Sequence, residues 1–258
     1  MSSFKAATIN LRYENEDDVY AWSERKTHLR DLLFSRKPDF FATQEGRQPQ
    51  LHDLARLLAD NYVLLDQHRV YDSVRMYPCL FIKKDWEVLS SVDRWLSETP
   101  EVAGSKSFGS QWPKLAVLAK IKKANHSTPL GIGSFHFDNA CAEARPYQAR
   151  VLLNELEKAF PLDDYILMGD ANDDPRSSPL EVFRQGGFCE PWDWAEAPIT
   201  YHAFGEEKYY SRIDYILFKS LRYRLHDKYT DDRKENYYSD HYYVSALFRD
   251  SSNEIDKE

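Results

Sequence analysis

The chain has 258 residues, of which 42% are apolar and 29% charged. Those proportions exclude disordered, collagen-like and coiled-coil classes, and the length suffices for one sizeable hydrophobic core. Lys and Arg total 34 against 42 Asp and Glu, a net charge of −8, which argues against sequence-independent attachment to nucleic acid or an anionic membrane.

Cys79, Cys141 and Cys189 are the only cysteines, odd in number and widely spaced. They suit neither a disulfide framework nor a zinc site and fit a reducing compartment. No apolar run approaches the roughly 20 residues of a membrane span, and Met-Ser-Ser-Phe-Lys lacks the apolar core of a secretory signal. A soluble, cytoplasmic, monomeric protein is expected. Residues 1–249 are expected to form a single domain, with 250–258 as a disordered acidic tail.

Phe4 to Tyr13 reads as a first strand, closed by the acidic stretch Glu14 to Asp18. Trp22, Leu29, Leu32 and Leu33 recur at helical spacing, with Arg25, Lys26 and Arg30 on the other positions, and this helix must end before Pro38. Phe40 to Gln44 reads as a buried strand, and Leu51 to Leu58 as a second helix. Cys79 to Ile82 and Trp86 to Leu89, joined by Lys83-Lys84-Asp85, predict a hairpin. Leu115 to Ile121 and Ile132 to Phe137 predict another, after an irregular stretch from Asp93 to Trp112 too long to be idle. A third helix follows from Tyr147 to Ala159, then strands at Tyr165 to Met168, Ile213 to Phe218 and Tyr242 to Phe248. Mixed strands and helices without a linker predict an α/β (α+β) fold with two sheets packed together.

The polar residues of interest stand at strand ends. They are Asn10, Gln44-Glu45, His136 with Asp138, Gly169-Asp170-Ala171-Asn172, Asp214 and Ser239-Asp240-His241. Strand ends fix a backbone while their loops expose side chains, so sites are built there. Asp214, flanked by Ile213 and Tyr215, needs a partner, because an uncompensated carboxylate among apolar side chains is costly. Ser239-Asp240-His241 is not a hydrolase relay, since adjacent side chains on an extended segment point to opposite faces. His28, His52, His68, His126 and His226 read as surface residues. Glu45, Asp170, Asp214 and Asp240, with neutral amides and imidazoles and without Cys, form a hard-oxygen set suited to Mg²⁺ or Mn²⁺. Phosphate-ester hydrolysis uses that inventory.

Six motifs in order, from Thr8-Ile9-Asn10 through Gln44-Glu45, Ser134-Phe135-His136-Phe137-Asp138, Gly169-Asp170-Ala171-Asn172 and Arg212-Ile213-Asp214-Tyr215-Ile216 to Ser239-Asp240-His241, resemble the endonuclease/exonuclease/phosphatase superfamily. Asn10-Leu11-Arg12-Tyr13, Trp22 with Arg25, Trp95 to Pro100 and Gly104-Ser105-Lys106 are similar to a compact bacterial branch of metal-dependent hydrolases. The resemblance implies a four-layered sandwich, two mixed β-sheets face to face with helices outside, and dependence on Mg²⁺ or Mn²⁺. It implies that Glu45 holds the metal with Asn10 and Asp240 in support. It makes Asp170 the residue that orients or deprotonates water, Asn172 a phosphate donor, and His241 a cationic donor backed by Asp214, with the Asp170 and His241 roles open to exchange. His136 becomes a second phosphate donor or general acid.

Relatives often carry His where this chain has Asn139, and Arg where it has Lys114; Arg12 and Arg145 are candidates for a bidentate phosphate fork. Arg12, Lys114, Arg145 and Asn139 thus complete the expected substrate-binding set. The scattered basic pairs favour a small phosphorylated substrate, mono- or diester, over DNA or RNA. A nuclease is the first alternative. The second is a non-catalytic carbohydrate- or phosphate-binding module using Trp and Tyr near loops, including Trp112 and Trp194.

Overall fold

The computed structural model describes residues 3–124, 128–193 and 198–251. His126, Trp194 and the tail from residue 252 lie outside the described residues. The strands are β1 (Ser3–Asn10), β2 (Phe40–Gly46), β3 (Tyr62–Leu64), β4 (Tyr77–Lys83), β5 (Trp86–Trp95), β6 (Leu115–Lys123), β7 (Leu130–His136), β8 (Tyr165–Asp170), β9 (Asp214–Lys219), β10 (Tyr223–Thr230) and β11 (Val244–Asp250). The α-helices are α1 (Trp22–Arg36), α2 (Gln48–Leu57), α3 (Arg145–Ala159) and α4 (Ser178–Gln185).

Two mixed sheets form, one ordered β10-β11-β1-β2-β4-β3 and the other β5-β6-β7-β8-β9. Strand alternation assigns every side chain to one of two faces. Even positions Phe4, Ala6, Phe40, Ala42, Leu80, Ile82, Ile132, Ile166, Met168, Ile216, Val244, Ala246 and Phe248 share one cluster between the sheets. Odd positions Ala7, Ile9 and Phe41 pack with Leu29, Leu33 and Leu51 of α1 and α2. Phe135, Leu167, Tyr215 and Leu217 pack with Leu152 and Leu156 of α3 and Phe183 of α4. Helix, sheet, sheet and helix are therefore stacked as four layers, as the resemblance implied.

The predicted hairpin of Cys79 to Leu89 does not form. β4 pairs with β2 and β3, whereas β5 pairs with β6 in the other sheet. Trp86 makes the crossing, because its ring meets Phe4 and Phe40 edge-on and its Nε1 donates to Asp39. Burying a large aromatic between the sheets outweighs the local turn signal. The hairpin of β6 and β7 does form.

Arg25 also departs from expectation. It is fully buried, and its guanidinium donates to the carbonyls of Leu11, Arg12, Tyr20 and Tyr238. One buried cation thereby ties the segment after β1 to the segment before His241. The first strand is shorter than predicted, ending at Asn10, and β11 runs through Asp250.

Candidate active site at the polar end of the inter-sheet layer

The inner face that is apolar along most of β1, β2, β7, β8 and β9 turns polar at one end. Thr8 and Asn10, Gln44, Ser134 and His136, Asp170 and Asp214 continue the same even parity. They are paired in register, His136 opposite Asp170, Asp170 opposite Asp214, and Asn10 opposite Gln44. Thr8 Oγ1 donates to Gln44 Oε1, and Gln44 Nε2 donates to Ser134 Oγ, so the floor of this region is itself hydrogen-bonded. A buried polar layer of that kind is tolerated only when its members are satisfied.

Backbone geometry then aims the acids. The β2–β4 register breaks between Thr43 and Gly46, and Glu45 lies in that break at φ 61°. Arg12 (φ 51°) and Asn172 (φ 52°) also occupy the left-handed region just past β1 and β8. Such conformations cost about 1 kcal/mol or more in non-glycine residues and persist where surrounding contacts hold them. Gly169 is required before Asp170, since a Cβ there would collide with the Phe135 carbonyl of the neighbouring strand.

Asn10 Nδ2 lies 3.2 Å from Glu45 Oε1 and 3.1 Å from Asp170 Oδ2, bridging two carboxylates. Its Oδ1 accepts the Arg12 N–H. Glu45 Oε2 accepts the Tyr13 N–H at 3.4 Å. Asp170 Oδ1 accepts the Asn172 N–H at 2.7 Å, and Asn172 Nδ2 donates to the Phe137 carbonyl. His241 Nδ1 donates to Asp214 Oδ2 at 2.8 Å, which supplies the partner that Asp214 required. Asp240 lies 3.9 Å from His241 Nε2 and 3.8 Å from Arg12 Nε.

Burial and neighbouring charge set the two imidazoles apart. Burial alone would lower His241, but Asp214, Asp240 and Asp170 raise it to about 10. His136 is held well below its ordinary value by burial, then by Lys114 and His241. Its Nε2 is 3.8 Å from Asp170 Oδ2, too far for a hydrogen bond. Burial followed by the charge of Asp214 raises Asp170 to about 7. Asp240 is likewise raised by burial.

The expected substrate-binding residues divide. Lys114 and Asn139 line a cavity of about 450 Å³ together with His136. The Arg12 guanidinium is engaged bidentately by Asp18. Arg145 donates to the carbonyls of Asp138 and Asn139 and pairs with Asp173 at 3.1 Å. The Asp138 carboxylate is taken up by loop donors instead. Ser110 Oγ and the N–H groups of Gln111, Ala140 and Cys141 donate to its carboxylate, which organises the loop that carries Trp112.

The sequence reading missed His202, fully buried between the rings of Tyr237 and Tyr242 at 4.7 and 4.0 Å. Its backbone N–H donates to the Asp240 carbonyl. Among the histidines read as surface residues, His52 keeps a partly exposed side chain and also pairs with Asp66 at 2.9 Å. Its place between buried Leu51 and Leu54 gave no signal of that partner.

The donor set can be tested for a hard cation. Glu45, His136 and Asp170 each offer one ligand atom within 4.8 Å of the others; Asp170, Asp214 and His241 lie as close, but there the charged imidazole already serves as the counter-ion of Asp214. Asp214 Oδ1 is buried without a hydrogen-bond partner. Carboxylates bridged by a neutral amide leave excess negative charge that a divalent cation offsets, so the residues fit such an ion.

A family model described as the Endonuclease/Exonuclease/phosphatase family matches residues 7–241. The fold is similar to that of an endonuclease/exonuclease/phosphatase from Bacteroides vulgatus, with a TM-score of 0.89 and 23% identity over 97% of this chain and 100% of that one. It is also similar to a mannosyl-6-phosphatase from Bacteroides thetaiotaomicron, at TM-score 0.79 and 23% identity, covering 95% and 99% of the two chains. D. rerio TDP2 complexed with a single-strand DNA product gives TM-score 0.74 and 17% identity, covering 96% and 100%. Among curated proteins there is no sequence match.

Proposed function

Because the chain belongs to the endonuclease/exonuclease/phosphatase family, and is therefore a hydrolase of phosphoester bonds, we propose that it is a Mg²⁺- or Mn²⁺-dependent phosphoesterase of small phosphorylated molecules. The observation that carries this reading is the meeting of the Glu45–Asn10–Asp170 bridge with the Asp214–His241 pair at one end of the inter-sheet layer. Glu45, with Asn10 and Asp240 beside it, would hold the cation, and His136 and Asp170 lie near enough to join the donor set. When bound, that ion supplies Lewis-acid neutralisation of phosphoryl and leaving oxygens.

The chain's own groups do the rest. Asp170, raised toward neutrality by burial, accepts the proton of the attacking water, and the Asn172 N–H fixes its other oxygen. His241, charged through Asp214, donates to a phosphoryl oxygen as negative charge develops. A permanently protonated His241 cannot serve as base, which favours Asp170 in that role. Neutral His136 orients the phosphoryl group as a donor or ligand rather than as a cation.

The small-substrate preference rests on the cleft. Beside the 450 Å³ cavity, and sharing Tyr13 and Arg47 with it, lies a second hollow of about 840 Å³ lined by Glu14, Glu16, Asp17 and Asp18. A nucleic-acid backbone crossing that acidic wall would be repelled. Purified protein assayed on an aryl phosphomonoester, an aryl phosphodiester, phosphorylated metabolites and plasmid DNA tests this reading. Hydrolysis of a small ester only with Mg²⁺ or Mn²⁺ and abolished by EDTA is expected; efficient plasmid cleavage with no small-ester activity would overturn the substrate assignment.

A further inference from the structure

Three basic side chains line the 450 Å³ cavity, namely Arg47, Arg75 and Lys114. The Lys114 ammonium is largely buried and makes no hydrogen bond or ion pair among the described residues. Arg47 is half-buried; its guanidinium meets the Tyr13 ring at 4.9 Å, and among the described residues it is in no ion pair and its buried Nε has no hydrogen-bond partner. Arg75 is held by the Trp95 ring at 4.9 Å and by Asp72 at 3.5 Å, yet its Nη1 is also buried without a partner. Elsewhere in the site the arginines are matched, as Arg12 is by Asp18 and Arg145 by Asp173. Withdrawing a cation from water without a counter-charge is unfavourable unless a ligand restores it.

One of these cations has a clear task under the function proposed above. Lys114 lines the cavity together with His136, which lies 3.8 Å from Asp170, so it serves the scissile phosphoryl group. Arg47 and Arg75 are left over. The same cavity wall carries Trp112, a large apolar residue that is 57% exposed, and the volume suits a small ring-bearing molecule. We propose that Arg47 and Arg75 form a second anion subsite, and that the substrate is a small ring-bearing phosphoester carrying a further phosphate or carboxylate, with its ring against Trp112. Arg suits that subsite because its fork takes a planar or tetrahedral anion bidentately. The cavity thus selects doubly anionic small molecules, while the acidic hollow beside it excludes long polyanions.

This subsite rests on the hydrolase reading but is tested separately from it. The ratio of kcat/KM for adenosine 3′,5′-bisphosphate over adenosine 5′-monophosphate, and for glucose 1,6-bisphosphate over glucose 6-phosphate, is measured with Mg²⁺ in wild type, Arg47→Gln, Arg47→Lys and Arg75→Gln. A charge-assisted hydrogen-bonded pair gives a preference of about 10- to 100-fold for the doubly anionic member of at least one pair. Arg47→Gln and Arg75→Gln should each bring that ratio toward one, with Arg47→Lys between. Ratios near one in wild type for both pairs, or a preference that neither Gln variant alters, would overturn the subsite. If none of the four compounds is hydrolysed, it is the small-substrate reading that fails on them and not the subsite, which calorimetric binding of adenosine 3′,5′-bisphosphate in EDTA still decides. Binding that weakens about tenfold or more in Arg47→Gln supports it, and binding that is absent in wild type or equal in the two proteins removes it. A matched melting curve for each variant ensures that a lost ratio is not lost folding.

Discussion

The two halves of the site are each built round a buried imidazole, and they are finished in opposite ways. On the β9 side, His241 is locked to Asp214 at 2.8 Å and kept charged up to about 10. On the β7 side, His136 has no carboxylate within hydrogen-bond range among the described residues, and burial, with Lys114 beside it, keeps it neutral. One half carries its own counter-charge within the chain, while the other is left to receive a cation and an anion from outside. The protein thus pre-organises the donor to developing charge and leaves open the part that must bind.

The largest expected effect removes the acid that touches both halves. Asp170→Ala should lower turnover by about three to four orders of magnitude while the melting temperature shows a folded chain; an active variant would remove Asp170 from the chemistry. Asp214→Asn attacks the paired half alone and should cost about two to three orders of magnitude in kcat. In the wild type, the folded His241 pKa of about 10 lies above the unfolded value of about 6.5. The associated stability is present below the unfolded value and lost as pH rises through 10. In Asp214→Asn, burial prevails and the imidazole should lose its proton well below 10, which an NMR titration of the ring would read. An unaltered titration would show that Asp214 does not hold the charge.

His202 sharpens the contrast as a third buried imidazole, one whose ring nitrogens have no hydrogen-bond partner among the described residues. Burial lowers it to about 4, below the unfolded value, so stability is complete above about pH 6.5 and falls as pH drops toward 4, by up to about 3 kcal/mol. His202→Gln should flatten the dependence of ΔG on pH in that window, as measured by urea unfolding. The smallest effect concerns ligand linkage. Mn²⁺ at 100 times its Kd should stabilise the wild type by about 2.7 kcal/mol, and a thermal scan of Glu45→Gln should show less than half of that gain.

Much of this organisation was legible in the sequence, because strand alternation and strand-end polar residues are local signals. Asn10, Glu45, His136, Asp170, Asp214, Asp240 and His241 do converge, and the demand for a partner at Asp214 was readable from its apolar flanks alone. The hairpin error at Lys83-Lys84-Asp85 arose because a turn signal does not reveal which sheet receives the next strand; Trp86 decides that through contacts with Phe4 and Phe40. β10 was invisible because four of its eight residues, Arg224, His226, Asp227 and Lys228, are exposed charged or polar side chains, and β3 is only three residues long. Arg25 was misplaced on a polar face, since its four carbonyl acceptors come from segments as far as residue 238. The commitment of Arg12 to Asp18 and of Arg145 to Asp173 is equally a matter of tertiary geometry.

Calorimetric titration of Mn²⁺ into EDTA-stripped protein, wild type against Glu45→Gln, bears most directly on the half left open. A saturable site in the wild type that is lost or weakened at least tenfold in the variant is the result the account predicts. Equal binding in both proteins, or none in the wild type, would contradict it.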